Sequence, residues 1–169
     1  MALQQREKTG KGSYIDIALA ESFLPHLGEL FMDYSINGRV ASTPGVRDHM
    51  GHRVQGVYPC LGDDEWIAIS IGRIEQWHKL CELIGKPELV SDQRFGDMAG
   101  LRAEHNAVDQ IISEWTPTQD PVALFNLLQQ EGVTAGPVMH EEHAYNDPHL
   151  KEREFFVSVD APEVGTHLY

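Results

Sequence analysis

Residues 55–83, QGVYPCLGDDEWIAISIGRIEQWHKLCEL, constrain the fold more than any other part of the chain, because their hydrophobic period changes once, from two to about 3.6. Val57, Tyr58 and Cys60 suit an extended backbone, Gly62-Asp63-Asp64 is a turn cluster, and residues 65–71 alternate between two faces, which predicts a β-hairpin. Trp66, Ala68 and Ser70 fall on one face, with Ile67, Ile69 and Ile71 on the other. From Arg73 onward Ile74, Trp77, Cys81 and Ile84 recur at three- and four-residue steps, with Leu80 on their flank. The spacing predicts a helix that ends at Gly85, a residue able to take the left-handed cap, and that Pro87 keeps from resuming.

The rest of the chain is arranged about this unit. Residues 2–8 read as the closing turns of a helix, with Arg6 and Lys8 where a helix C-terminus favours cations. Thr9-Gly10-Lys11-Gly12 is a turn and residues 14–17 a short strand. A long helical period follows, with Leu19, Phe23, Leu27, Leu30, Phe31 and Tyr34 on one broad apolar stripe that needs a large surface to pack on. Pro25 predicts a kink or a restart near Ser22, since an interior proline costs about 3 kcal/mol. Residues 39–54 show no period, and a loop of that length holding Pro44, Gly45 and Gly51 is of the kind that carries function.

Beyond the hairpin and its helix, residues 89–95 read as a helical turn and a loop, and a second helix puts Leu101, Val108, Ile111, Ile112 and Trp115 inward before Thr116-Pro117 stops it. Asp120-Pro121, an N-cap aspartate before a first-position proline, starts a third helix carrying Phe125, Leu127 and Leu128 and ending at Gly132. Residues 133–138 form a short strand that must pair at an edge or end at Pro137, 140–145 and 147–150 are short helical turns, and 155–159 are a closing strand. The fold class is α+β: a small α/β domain with a β-hairpin-containing sheet packed by several helices, preceded by a long linking helix.

Composition limits the partners. With 169 residues, 41% of them hydrophobic, the chain can bury one real core. Asp and Glu number 26 against 13 Lys and Arg, and a net charge of -13 repels both a nucleic-acid backbone and an anionic membrane surface, so neither is expected as a partner. Apolar runs fall short of a membrane span. Cys60 and Cys81 sit in apolar surroundings without metal-ligand spacing, and no secretory leader precedes the first structured segment. The expectation is a cytoplasmic protein with buried, reduced thiols. His140-Glu141-Glu142-His143, followed by Asp147 and His149, spaces its histidines three apart rather than the four of a zinc-protease helix, as do His49 and His52. These read as solvated side chains, with no metal site expected. Trp66, Trp77 and Trp115 read as core.

An ordered set of motifs adds a family. Ala2-Leu3, Arg6-Glu7-Lys8-Thr9-Gly10-Lys11-Gly12 and Ile15-Asp16-Ile17 are followed by Gly56-Val57-Tyr58-Pro59-Cys60, Trp66-Ile67-Ala68-Ile69 and Gln76-Trp77. Arg94-Phe95, Trp115-Thr116, Gly132-Val133-Thr134-Ala135-Gly136-Pro137-Val138 and Asp147-Pro148-His149-Leu150 with Arg153 complete it. Across its whole length the chain resembles the middle portion of family III CoA-transferases, the CaiB/BaiF group. The resemblance implies a large Rossmann-like domain built from both sequence ends, a smaller α/β domain between, and two chains interlocked as a dimer. On that pattern residues 1–45 are an entry turn, strand and long linking helix, 46–154 the small domain, and 155–169 a return strand and linker.

The chemistry that the resemblance implies is attack of an aspartate on an acyl-CoA thioester, giving a mixed anhydride and CoA thiolate. In the family that aspartate precedes the matching segment, so no catalytic residue is assigned here, and Asp16, Asp63 and Asp64, in strand and turn positions, are no substitutes. The implied contribution of this chain is the rim of the active site, the loop 49–55, where His49-Met50-Gly51 replaces a common His-Pro-Asn. Gly51, Gln55 and Gly56 are the implied substrate-binding residues: backbone N–H groups around Gly51 and Gly56 for an oxyanion, and the Gln55 amide for a carboxylate. The bland reading is a connecting loop. CoA thioester is then a substrate of the intact enzyme rather than a tightly bound cofactor, and the partners are acyl-CoA and a large domain or a second copy. Because acidic residues dominate, the phosphate-binding cations are expected outside this chain, which alone would bind CoA weakly or not at all and be inactive. Two alternatives stand beside this: a free-standing, catalytically inactive binding or oligomerisation module, and an acyl-CoA racemase-type member, although Ile74 occupies that branch's usual glutamate position with Glu75 out of register.

Overall fold

The computed structural model describes residues 1–40, 42, 45–48 and 50–169. Pro44 and His49, both singled out in the sequence, lie outside the described residues. The chain divides into two compact units, Met1–Thr43 and Pro44–Tyr169.

The first unit is helical. It holds α1 (Ala2–Thr9), α2 (Leu19–Phe23) and α3 (Gly28–Asn37), with a 3-10 turn, Leu24–Leu27, between the last two. Pro25 enters that turn, where the tighter winding absorbs the break expected from an interior proline. The strand expected at 14–17 is absent: the segment takes no regular structure, because no ladder partner lies beside it among the described residues of this unit. None of these helices buries a residue.

The second unit contains the expected hairpin and its helix as β1 (Val54–Pro59), β2 (Trp66–Ile71) and α4 (Ile74–Ile84). Then come α5 (Met98–Ala103), α6 (His105–Trp115), α7 (Pro121–Gln130), β3 (Thr134–Pro137), α8 (Glu141–Asn146) and α9 (Pro148–Glu152). The sheet runs β1-β2-β3, antiparallel throughout, so β3 is an edge strand that stops at its proline. A separate ribbon, β4 (Ser158–Ala161) with β5 (Gly165–Leu168), replaces the single closing strand expected at 155–159. Pro162 and the two residues after it fold the chain back there rather than letting it run on.

Ile67, Ile69 and Ile71 of β2 are all buried, as their alternation predicts, and meet Trp77, Leu80 and Cys81 of α4, Leu101 of α5, Val108 and Ile112 of α6, and Leu124 and Leu128 of α7. Each such side chain contributes about 1.5–3 kcal/mol when fully buried. Leu127 is exposed, because Pro121, Leu124 and Leu128 define the buried arc of α7 at helical spacing. Asp120 caps that helix, accepting the N–H groups of Val122 and Ala123 at 3.1 and 2.8 Å. One buried amide ties the sheet to α4. Gln76 Oε1 accepts the N–H groups of Gly72 and Arg73 at 2.8 and 3.2 Å, while its Nε2 donates to the Gly132 carbonyl and Thr134 Oγ1 at 2.9 and 3.3 Å.

Candidate functional site

Loop and strand meet at residues 45–58, where all three sequence-named candidates lie. Asp48 organises the loop: its carboxylate accepts the N–H of Met50 at 3.0 Å, of His52 at 2.9 Å and of Arg53 at 3.0 Å. Partial burial raises the carboxyl's pKa, but these three bonds and the nearby His52 outweigh it, so Asp48 lies below its ordinary value. The Gly51 N–H donates to the Asp48 carbonyl at 3.1 Å, with Gly51 at φ 68, a left-handed position that a side chain would strain. A Cβ at Gly51 would meet open space, so backbone conformation rather than room selects glycine here.

Gln55 sits half-buried on β1. Its Nε2 donates to the Val46 carbonyl at 2.9 Å, drawing the loop's two ends together, and its Oε1 accepts Ser70 Oγ at 3.5 Å. The donors that the sequence reading offered to a substrate, at Gly51 and Gln55, are thus engaged within the loop. Gly56 is buried in the ladder opposite Ile69, and here the constraint is space: a Cβ would fall 2.5 Å from the Tyr58 hydroxyl oxygen and 2.6 Å from the ring carbon bearing it. Glycine at 56 lets the Tyr58 phenol lie across the strand.

Tyr58 leads to residues that the sequence reading did not name. Its hydroxyl donates to Asp109 Oδ1 of α6 at 2.8 Å. Arg47 Nη2 donates to Asp109 Oδ2 and to Asn106 Oδ1, each at 2.6 Å. His105, one turn before Asp109, donates from Nε2 to the Gln55 carbonyl at 3.1 Å and lies 3.5 Å from Asp109 Oδ1. Burial first, then the Asp109 charge and its hydrogen bond, push the Tyr58 phenol far above its usual value, with Arg47 partly opposing, so it acts as a fixed donor. A signal was present in the sequence. His105 and Asp109 stand four apart within the arc that carries Leu101, Val108 and Ile112, and a polar pair on an inward face implies partners.

Other candidates resolve into structural roles. Cys60 and Cys81 are free and buried; burial, then Glu88 and Glu82, push the Cys81 thiol up to about 12, and burial with Asp120 and Glu65 raises Cys60, so neither is a nucleophile near neutrality. His143 Nδ1 accepts the His140 N–H at 3.2 Å, a cap on α8. Trp77 packs against Phe95 at 5.4 Å between ring centroids inside the core, and Trp66 Nε1 donates to Asp64 Oδ1 at 2.8 Å. Among the described residues no group of three or more His, Cys, Asp or Glu is placed to hold a metal, and no helix is long and apolar enough to cross a membrane. A mainly apolar cavity of about 450 Å³ lies between α8, α9 and the β4–β5 ribbon, walled by Tyr145, Leu150, Phe155, Phe156, Val157 and Leu168.

Comparison with known proteins bears on the chain as a whole. The family model described as CoA-transferase family III matches residues 1–169. A probable CoA-transferase of Mycobacterium tuberculosis is 34% identical over 167 residues, which is 99% of this chain and 21% of that protein. The succinyl-CoA–D-citramalate CoA-transferase of Chloroflexus aurantiacus is 28% identical over 170 residues, covering 98% of this chain and 40% of the relative. The crystal structure of a CaiB/BaiF family protein from Brucella suis has the same fold, with a TM-score of 0.76 at 24% identity over 98% of this chain and 46% of that one. The chain therefore spans less than half the length of each of these proteins.

Proposed function

Because the chain belongs to CoA-transferase family III, we propose that it supplies the small-domain rim of a site that moves CoA between an acyl-CoA and a carboxylate. The observation that carries the reading is the loop at 45–55. Its described residues hold a left-handed glycine and satisfied N–H groups, closed at the ends by Gln55 and Val46, and its second half, 49–55, is the stretch that the family resemblance marks as the rim. In the reaction a carboxylate attacks the thioester carbonyl, the C–S bond breaks with CoA leaving as thiolate, and a mixed anhydride remains for the next acceptor. That nucleophilic aspartate is proposed to lie outside this chain. Asp63 and Asp64 stand in the tip between β1 and β2, at the end of β1 away from the loop, and Asp16 in the irregular segment before α2.

A rim whose own donors are engaged contributes shape rather than charge. It keeps water from a hydrolysable anhydride, and Gly51, with open space where a Cβ would stand, lets backbone approach the reacting groups closely. Gln55 fixes the loop's return to the sheet, and Gly56 serves it from beneath by making room for Tyr58. The charged partners of the CoA phosphates are proposed to come from a large domain or a second copy, given 26 acidic against 13 basic residues here.

The test is a graft. Residues 1–169 replace the matching segment of the Chloroflexus aurantiacus enzyme, and CoA transfer from succinyl-CoA is followed beside calorimetric titration of this chain alone with CoA. Transfer by the graft, with weak or no CoA binding by the isolated chain, is expected. A folded graft that transfers nothing, or tight stoichiometric binding of CoA by the chain alone, would overturn the proposal.

A further inference from the structure

We infer that Asp109 is the positioning residue of the Gly51 loop: from α6 its carboxylate holds Arg47, and through Arg47 the Asp48-organised turn, so that the loop's place is set by the helix beneath it. The inference rests on the reading above only for what the loop does in transfer; the latch itself is a matter of geometry within Pro44–Tyr169.

Two elements converge on one carboxylate of α6, beside a histidine of the same helix. Arg47 brings the start of the loop, at 2.6 Å to Oδ2; Tyr58 brings β1, at 2.8 Å to Oδ1; and His105, on α6 itself, lies 3.5 Å from Oδ1. His105 also donates to the Gln55 carbonyl at 3.1 Å, so the loop's far end is tied to the same helix turn that holds its near end. Asn106 accepts the same Arg47 nitrogen at 2.6 Å, which fixes the guanidinium against the helix as well as against the carboxylate. Both charges are partly sheltered, Arg47 with 37% and Asp109 with 28% of the side chain exposed, and a charge-assisted bond in such a setting is stronger than one in open solvent. Gly56 belongs to the same device, since any side chain there would drive the phenol off Asp109. The Gly56-Val57-Tyr58 motif thus has a mechanical sense: the glycine admits the tyrosine, the tyrosine aims the aspartate, and the aspartate seats the loop.

Asp48 binds the N–H groups of Met50, His52 and Arg53, and Arg47 is the residue just before it, so latch and turn share one stretch of backbone. Losing the Arg47–Asp109 contact therefore lets the turn open more often, and the amides that Asp48 holds lose protection with it.

Hydrogen exchange in this chain reads the latch directly. In Asp109→Asn the amides of Met50, His52 and Arg53 should exchange roughly tenfold faster, the loss expected for one charge-assisted hydrogen bond, while those of Ile67 and Ile69 in the central strand keep their rates. Arg47→Met should reproduce the effect from a residue that lies off the sheet, and the double variant should be no worse than either single one. Unchanged loop amides in both single variants would overturn the latch, and so would strict additivity in the double variant. If Asp109→Asn loosens the sheet as well, Arg47→Met alone decides on the same readout. In the active graft, Asp109→Asn should lower kcat for transfer and raise the share of thioester lost to hydrolysis, with KM for succinyl-CoA held. Faster loop exchange with unchanged transfer and hydrolysis would leave the latch standing and remove the loop from the active-site rim.

Discussion

The two units of this chain obey the same local rules and differ in what those rules lead to. Among the described residues of Met1–Thr43, α1, α2 and α3 form and none of them buries a residue: Leu19 is 86% exposed and Phe31 55%. In Pro44–Tyr169 comparable helices surround the isoleucines of β2, and Trp77, Leu80, Leu101, Val108 and Leu128 are sealed from solvent. Local signals are enough to specify a helix, but short helices are marginal in water, and packing decides whether they contribute to stability. The first unit carries an apolar stripe on which Leu19, Phe23, Phe31 and Tyr34 are exposed, and the second shows what the same kind of stripe becomes once covered.

The comparison is tested hardest at Trp77. Trp77→Ala should cost about 3–5 kcal/mol, the range for removing a large aromatic from a closed core and a large part of a domain's total stability. A urea unfolding curve measures it through the shift in midpoint at constant slope. Trp77→Phe sharpens the point. The indole Nε1 is buried without a hydrogen-bond partner among the described residues, so phenylalanine gives up packing volume but relieves an unsatisfied donor, and its cost should be well under that of alanine. Equal losses for the two substitutions would mean that volume alone decides at this site.

Gly56→Ala comes next, at about 1–3 kcal/mol, the usual cost of forcing an extra methyl into a filled site. The new Cβ would stand 2.5 Å from the Tyr58 hydroxyl oxygen, so the phenol must leave Asp109. Gly56→Ala in a Tyr58→Ala background should then cost little, and the non-additivity in a thermal-denaturation cycle measures the contact. Full additivity would show that the glycine answers to something other than Tyr58.

These sites also mark how far the sequence could be read. The alternation over 65–71 placed Ile67, Ile69 and Ile71 inward, and Asp120-Pro121 started α7, because both features act over a few residues. Gln76-Trp77 was noticed as a motif, whereas its cause, a buried amide joining Gly72 and Arg73 to Gly132 and Thr134, appears only when segments 56 and 58 residues apart are brought together. The site divides in the same way. Gly51 and Gln55 were named from their loop, but Arg47 reaches Asp109 across 62 positions and Tyr58 does so across 51, distances over which no local pattern survives. The misreading at 14–17 has the same origin: Tyr14 to Ile17 have β propensity, but no strand pairs with them among the described residues of their unit.

The smallest effect is expected where the first unit exposes most. Phe31→Ser on α3 should change stability by no more than about 0.5 kcal/mol, the range for surface positions away from a cap or a buried contact. Phe31 packs into no core, and serine costs only a little helix propensity. The same thermal denaturation that reads Gly56→Ala reads this variant, with light scattering at several concentrations beside it. A loss of 2 kcal/mol or more, of the order expected for a buried aromatic, would mean that another chain or a second copy covers this stripe in solution. Concentration dependence of the midpoint would separate a second copy from other occupants, because association stabilises by mass action and a self-contained fold does not. A small loss that does not vary with concentration would instead keep the contrast: two sets of similar helices in one chain, buried in one unit and exposed in the other.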